Sequence, residues 1–324
     1  MEVCVHGIVS AVRVRASRIA LGGYGVEGMS AMAVDVASTP GPLLIAGAAG
    51  MLGHALQAVC GQRGRDFFAP VESEFDITSP EQVSRVVTSF AALHPDGALV
   101  NAAAMNDAEA AEEHPEAAFA ANRTGARLLA HAAARAGLPF AHVSTRFVFD
   151  GAKRGPYTED DEPNPHSVYG VSRLAGERVV LSANPRALIV RTTWLFGPDG
   201  ASFPTKILEK AAGSIAVTVV NDEIGSPTYS IDLACGIIDL LDAGARGVYH
   251  LAGSGSCTRA ETAREVLRLA GLERVKVVPV PASSFPGTAA RPANSVLDCS
   301  KAAALGVTLP EWRDALGRFV ATVV

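Results

Sequence analysis

The run Leu43-Leu44-Ile45-Ala46-Gly47-Ala48-Ala49-Gly50-Met51-Leu52-Gly53 constrains this chain more than any other stretch. A short apolar segment leads into three glycines at three-residue spacing, and His54–Val59 can continue as a helix. Strand, tight turn and helix N-terminus in that order make a phosphate-cradling unit at the start of a dinucleotide-binding sheet. Gly47 permits a turn that a Cβ would hinder, Gly50 lets backbone N–H groups approach a pyrophosphate, and Gly53 allows close helix–strand packing. Met51 and Leu52, at the helix start, are expected to line the same cofactor site.

From Leu43 onward apolar runs alternate with helical patterns. Strands are expected at Leu43–Ala46, Phe67–Val71, Ala98–Val100, Phe140–Val143, Ala187–Arg191 and Gly247–Leu251. Helices are expected over Pro115–Ala136, Val168–Leu181 and Thr258–Ala270, with Pro80 and Pro115 placed where a first helical turn tolerates proline. Such alternation predicts an α/β fold: a doubly wound parallel Rossmann-type sheet with its ligand crevice at the strands' carboxyl ends. After Trp194 the rhythm breaks, with a loop at Gly197-Pro198-Asp199-Gly200 and a polar, irregular stretch from Asn221 to Tyr229. The expected division is a dinucleotide-binding part over 42–196, rejoined by 223–255, and a smaller C-terminal substrate lobe over 197–222 and 256–324. Residues 1–41 read as an extension, either poorly ordered or preceding a true start at Met29 or Met32.

Composition narrows the functional classes. In the 324-residue chain a formal net charge of -5 and scattered basic residues argue against a dominant nucleic-acid surface. No apolar stretch is long enough to span a bilayer. The five cysteines are odd in number and widely separated, which argues against disulfides or a zinc site and fits a cytoplasmic protein. The eight histidines show no ligand spacing, so His54, His142 and His166 read as helix, strand and loop residues and no metal site is expected.

The chemistry lies further along. Ser144-Thr145 follows the strand at Phe140–Val143, where either hydroxyl could bond a substrate carbonyl. Tyr169 opens a helical segment with Arg173 at i+4, placing phenol and guanidinium on one face. A free phenol, with a pKa of about 10, can donate a proton to a developing alkoxide but is poorly matched to neutral pH. A cation about 4 Å away favours the phenolate by roughly 4 kcal/mol before desolvation. Glu72 lies about 20 residues beyond the glycine turn, where an acid can accept from an NAD ribose.

The glycine spacing differs by one residue from the usual dinucleotide fingerprint and resembles that of the extended short-chain dehydrogenase/reductases. More specifically, Asn101-Ala102-Ala103-Ala104, Ser144-Thr145-Arg146-Phe147-Val148-Phe149-Asp150-Gly151, Tyr169-Gly170-Val171-Ser172-Arg173, Arg191-Thr192-Thr193-Trp194, Gly225-Ser226-Pro227-Thr228 and Arg291-Pro292-Ala293-Asn294-Ser295 resemble the dTDP-4-dehydrorhamnose reductase family. The resemblance runs in order from Leu43 to the C-terminus. It implies reduction of the 4-keto group of a dTDP-4-keto-6-deoxyhexose by NADPH or NADH, with the dTDP-sugar as substrate partner. Tyr169 is then the proton donor, Thr145 the hydroxyl that polarises the carbonyl, and Arg173 stands where the family has its catalytic lysine. The resemblance places Asn101, Ala102 and Ala103 along the cofactor and Asp76, in Phe75-Asp76-Ile77-Thr78, near the adenine. It places Thr145, Phe147 and Trp194 against the sugar nucleotide. Arg291 is either a diphosphate contact or one half of a surface ion pair. Mg2+ and a homodimer enter by family analogy alone.

Three departures stand out. Arg146-Phe147 replaces the family's usual Asp-Tyr, Ser202 stands where Asn is usual, and Arg173 replaces lysine, keeping the charge on a planar and differently aimed group. Arg173 and Phe147 motivate an alternative, a nucleotide-binding regulatory subunit like that of methionine adenosyltransferase, which resembles the same family. A dehydratase or epimerase reading is weaker, because no carboxylate follows Thr145.

Overall fold

A computed structural model describes residues 40–285 and 287–324. Residues 1–39, nearly all of the expected extension, lie outside the described residues.

The elements follow in the order β1 Leu43–Ala46, α1 Met51–Arg63, β2 Phe67–Phe68, α2 Pro80–Leu93, β3 Ala98–Asn101, α3 Ala108–Glu113, α4 Pro115–Phe119, α5 Ala126–Ala136, β4 Phe140–Thr145, α6 Val168–Ala183 and β5 Leu188–Thr192. Then come β6 Leu195–Phe196, α7 Phe203–Ala211, β7 Ala216–Val220, β8 Ile224–Gly225, β9 Thr228–Tyr229, α8 Ser230–Asp242, β10 Gly247–His250, β11 Cys257–Thr258, α9 Arg259–Leu269, β12 Lys276–Val280, β13 Asn294–Ser295, α10 Ser300–Ala303 and α11 Trp312–Val323. Six strands pair in parallel in the order β10-β5-β4-β3-β1-β2, the doubly wound sheet that the alternation predicts.

Strand periodicity explains the two-faced core. Leu43 and Ile45 of β1 face one way and pack with Leu52, Leu56 and Val59 of α1 and Leu233, Ile237 and Leu241 of α8. Leu44 and Ala46 face the other way, onto Val83, Val87 and Phe90 of α2, Leu129 and Ala133 of α5 and Val180 of α6. A separate cluster joins Phe196, Ile207 of α7, Val217 and Val219 of β7, Ala263 and Val266 of α9, and Trp312, Leu316 and Phe319 of α11.

Some expected boundaries shift for local reasons. The strand expected over Phe67–Val71 stops at Phe68, because Pro70 has no N–H to donate to a ladder. The helix expected over Pro115–Ala136 is interrupted by a π-helical segment, Ala120–Gly125. Within the stretch read as irregular, β8 and β9 are two residues each, too short to show a period. Thr258 caps α9 rather than joining it, in a capping box with Glu261. Among the described residues, no helix is long and apolar enough to cross a membrane and no group of side chains has metal-ligand character.

Two buried histidines tie the fold to pH. His142 and His250 are 1% and 0% exposed, and burial pushes each imidazole down to about 3, helped by the nearby charges of Arg173 and Arg191 respectively. Both are therefore neutral in the folded chain, whereas the unfolded chain takes up their protons below about pH 6.5. Stability is full above that pH and falls by about 1.4 kcal/mol per pH unit per histidine as the pH drops toward 3. Urea titrations between pH 4 and 6 should show this slope. H250N, which keeps a donor for the Tyr157 carbonyl that His250 Nδ1 meets at 3.0 Å, should reduce it by one proton's worth.

Candidate active site

The strand order reverses between β1 and β3, and the turn after β1 meets the segment after β3 there. Gly47 has φ +80°, and a Cβ on it would stand 2.5 Å from the Ala103 nitrogen. A Cβ on Gly53 would lie 2.2 Å from the Gly47 carbonyl oxygen, so α1 can approach the turn only with glycine at 53. Gly50 is different: its Cβ would meet Gly47 O at 3.5 Å, an ordinary contact. Gly50 caps α1 with no side-chain hydrogen bond, and the first turn of α1 has no acidic residue. The positive end of a 13-residue helix thus opens outward with no acidic residue in its own first turn, a setting suited to phosphate.

That helix end opens into a cleft of about 820 Å³. Gly50, Met51, Leu52 and Ala102 line one part of it, and Thr145, Phe147, Tyr169, Arg173 and Trp194 line another. These nine candidate site residues therefore share one cavity, and Ser144 borders it as well. Gly47, Gly53, Glu72, Asp76, Asn101, Ala103 and Arg291 do not line it. Asn101 is 1% exposed, with its Nδ2 2.9 Å from His142 Nδ1 and its Oδ1 accepting from Ala103 N at 3.0 Å. Its side chain shapes the Ala102–Ala103 backbone rather than facing the cavity. Glu72 is exposed in a turn. Asp76 Oδ1 accepts from the backbone and hydroxyl of Thr78 at 2.8 and 2.7 Å, which bends the chain into α2. Arg291 is paired with Glu109 at 2.7 Å and lines a separate small depression beside Phe147. Hydrogen bonds from Ala289 and Thr288 hold the Glu109 carboxyl down to about 2, so this pair is charged at neutral pH.

The structure separates the two adjacent hydroxyls. Successive side chains of β4 point to opposite faces. Ser144 turns inward and donates to Glu177 Oε1. Thr145 lies on the cavity wall and its Oγ1 accepts from Phe147 N at 3.3 Å, which leaves the hydroxyl proton free for a substrate oxygen.

Tyr169 sits in the first turn of α6, whose N-cap Ser167 accepts from Gly170 N. The Phe147 ring packs against the Tyr169 ring at 5.1 Å and 75°, so an apolar edge stands where a hydroxyl is usual. The Arg173 guanidinium carbon is 5.9 Å from the Tyr169 ring centroid. Its Nη2 donates to the Val143 carbonyl at the end of β4, and its Nη1 reaches Asn106 Oδ1 at 3.4 Å. The Tyr169 hydroxyl reaches that same Asn106 oxygen at 3.4 Å. Phenol and guanidinium thus converge on a shared amide.

Asn106 was not legible as a site residue, since it follows β3 with no spacing signal. Asn122 is a second such case. It lies in the π-helical segment, exchanges two hydrogen bonds with the Met105 backbone and donates to Ser172 Oγ at 2.9 Å, bracing the loop that carries Asn106 against α6. A weakly helix-favouring asparagine inside an alanine-rich helix was the available hint. Arg259 is a third, opening α9 from the C-terminal cluster and reaching the cavity from there.

Trp194 has φ +43°, a left-handed conformation rare for an aromatic residue. Its ring is held between the Gly225 backbone, where a Cβ would stand 2.4 Å from Cε2, and the Arg259 guanidinium 3.6 Å from its centroid. Ser202 caps α7 in a box with Thr205 and so has a structural use of its own.

Beneath the cavity, Glu177 accepts from Arg191 Nε at 2.9 Å and Nη2 at 2.7 Å, with both side chains 4% exposed. Removing one partner leaves a buried, uncompensated charge. E177L should therefore lower unfolding stability by about 3–5 kcal/mol, read as a shift of the urea midpoint at unchanged m.

Comparison with known proteins fits this geometry. Residues 41–324 match the family model described as the RmlD substrate binding domain. The chain is 42% identical over 286 residues to a dTDP-4-dehydrorhamnose reductase of Mycobacterium tuberculosis (strain CDC 1551 / Oshkosh), covering 86% of this chain and 92% of that protein. It is 37% identical to the dTDP-4-dehydrorhamnose reductase of Mycolicibacterium smegmatis, covering 87% and 86% respectively. Among solved structures, dTDP-4-dehydrorhamnose reductase from Bacillus anthracis str. Ames in complex with NADP superposes with a TM-score of 0.83 at 32% identity, over 87% of this chain and 99% of that one. The chain belongs to the dTDP-4-dehydrorhamnose reductase family.

Proposed function

We propose that this protein is an NAD(P)H-dependent sugar-nucleotide 4-ketoreductase that reduces the 4-keto group of a dTDP-4-keto-6-deoxyhexose. The observation that carries this reading is one cavity uniting an uncapped helix N-terminus at a glycine turn with Thr145, Tyr169 and Arg173. Residues 42–196 and 223–255 would hold the dinucleotide, and residues 197–222 and 256–324 would close on the sugar. Relatives named as reductases, at 37–42% identity over most of the chain, favour catalysis over a regulatory role. A biosynthetic role of this kind and the absence of a membrane-crossing helix among the described residues support a cytoplasmic setting.

The residues fit a dinucleotide. Gly47 and Gly53 create the tight turn, Gly50 leaves the helix end clear, and the N–H groups at the start of α1 suit a pyrophosphate. A reduced nicotinamide dinucleotide held there would provide hydride chemistry for the ketone carbon. The chain's own residues handle the oxygen. Thr145 Oγ donates to the carbonyl and steadies the negative charge that develops on it. Tyr169 gives that oxygen its proton. Arg173 keeps a positive charge beside the phenol, and its bond to the Val143 carbonyl fixes where the guanidinium lies. Asn106 holds phenol and guanidinium in register, and Phe147 and Trp194 shield the site from water.

The test is consumption of NADPH and of NADH with enzymatically prepared dTDP-4-keto-6-deoxyhexoses, followed by product identification. Reduction at C4 is the expected result, and dinucleotide binding without oxidation on any such sugar would overturn the reading. Y169F should lower kcat by roughly 10²–10⁴ while dinucleotide affinity persists. N106A should lower kcat by about tenfold with little change in KM, because it loosens positioning rather than binding.

A further inference from the structure

The geometry points to Arg146 and Arg259 as a two-arginine clamp for the diphosphate of the sugar nucleotide. This assignment rests on the reductase reading above and names residues that the reading leaves out.

Arg146 is the residue after Thr145 and lines the same cavity. It is 5% exposed, and its Nη1 is buried with no hydrogen-bond partner. Among the described residues no carboxylate lies within 4.0 Å of it, whereas buried Arg191 has Glu177 and buried Arg173 donates to the Val143 carbonyl. The Arg146 guanidinium rests over the Phe147 ring, 4.2 Å from its centroid, which orients the group without neutralising it. A desolvated, unpaired cation is expensive for a folded chain, and a ligand anion is the usual compensation.

Arg259 reaches the cavity from a different element, the first turn of α9. Its guanidinium lies flat on Trp194 at 3.6 Å and near Phe203 at 4.8 Å. Its closest carboxylate approach is 3.6 Å, from Nε to Glu223 Oε2. Both arginines line the one cavity. Burial and then the Arg259 charge push Arg146 down to about 9, and burial pushes Arg259 to about 10 despite Glu223.

Planar guanidinium forks match phosphate oxygens in pairs of parallel hydrogen bonds. A 4-keto-6-deoxyhexose carries no charge, so the anion within a side chain's reach of Thr145 is the diphosphate. Its two or more negative charges match two guanidiniums better than a single carboxylate would. Arg291, the diphosphate candidate from sequence, is already paired with Glu109 outside the cavity.

The experiment measures binding of dTDP, inorganic pyrophosphate and thymidine by calorimetry at two salt concentrations, together with thermal melting of the unliganded protein. R146M and R259M should each weaken dTDP and pyrophosphate at least tenfold and leave thymidine and NADPH unchanged. R146K should fall between, because it keeps the charge and loses the fork. R291M should stay within threefold of the wild type. R146M should also melt about 2–4 °C higher than the wild type, since it removes an unpaired buried charge; an arginine kept for structure would melt lower on removal. The clamp is rejected if the wild type binds neither dTDP nor pyrophosphate, if R146M and R259M bind both normally, or if R291M alone loses affinity. It is equally rejected if R146M spares dTDP and instead loses selectivity for a sugar bearing a carboxylate. Tight pyrophosphate and dTDP binding without ketone reduction would leave the clamp standing and reject the reductase reading.

Discussion

The buried pairing of Glu177 with Arg191 and Ser144 is the constraint on which the site depends. Glu177 is on α6, Arg191 on β5 and Ser144 on β4, so one carboxylate joins a helix to two adjacent strands near their carboxyl ends. Tyr169, Arg173 and Glu177 are spaced at i, i+4 and i+8, and so share one face of α6. Locking Glu177 onto the sheet therefore fixes the height and rotation at which the phenol and the guanidinium meet Thr145. On the neighbouring position Gly176 lets α6 close on the π-helical segment, since a Cβ there would stand 2.2 Å from the Asn122 carbonyl oxygen. The pairing is fully hydrogen-bonded on the carboxylate, which is what makes a buried charge tolerable.

Charge in the cavity is distributed differently. Arg173 is tied to a strand carbonyl, Arg259 is stacked on an indole with a long approach to Glu223, and Arg146 has an aromatic face and no carboxylate. Positive charge is retained on a site that must accept an anionic cofactor and an anionic substrate. Sites commonly carry such local conflict, because what destabilises the empty protein is relieved on binding. Trp194 belongs to the same pattern, with a left-handed backbone held in place by Gly225 on one face and Arg259 on the other.

Much of the Rossmann part was legible because its strands are buried on both faces and read as unbroken apolar runs. Leu43–Ala46 matches the observed β1, and Val168 marks the start of α6 as expected. Gly47 was readable because only glycine takes a positive φ against the Ala103 backbone without strain. The expected strand at Phe67 overran its true end because apolar character continues past the point where Pro70 removes a donor. The two-residue strands β8, β9, β11 and β13 carry no periodicity at all, and their pairing is set by what lies beside them. In the site, Ser144 and Thr145 were indistinguishable until the pleat of β4 turned one onto Glu177 and the other toward the cavity.

Local chemistry is written in the order of residues: the glycine turn, the helix that starts behind it, and a phenol and guanidinium four residues apart on one helical face. These depend on backbone sterics and helical period, which act over a few residues. Tertiary structure alone decided which distant groups complete the site. Asn106 meets Tyr169 and Arg173 across more than sixty residues of chain, and Arg259 comes from another cluster to lie on Trp194. Such meetings follow from how strands order and helices pack, and no spacing along the chain records them.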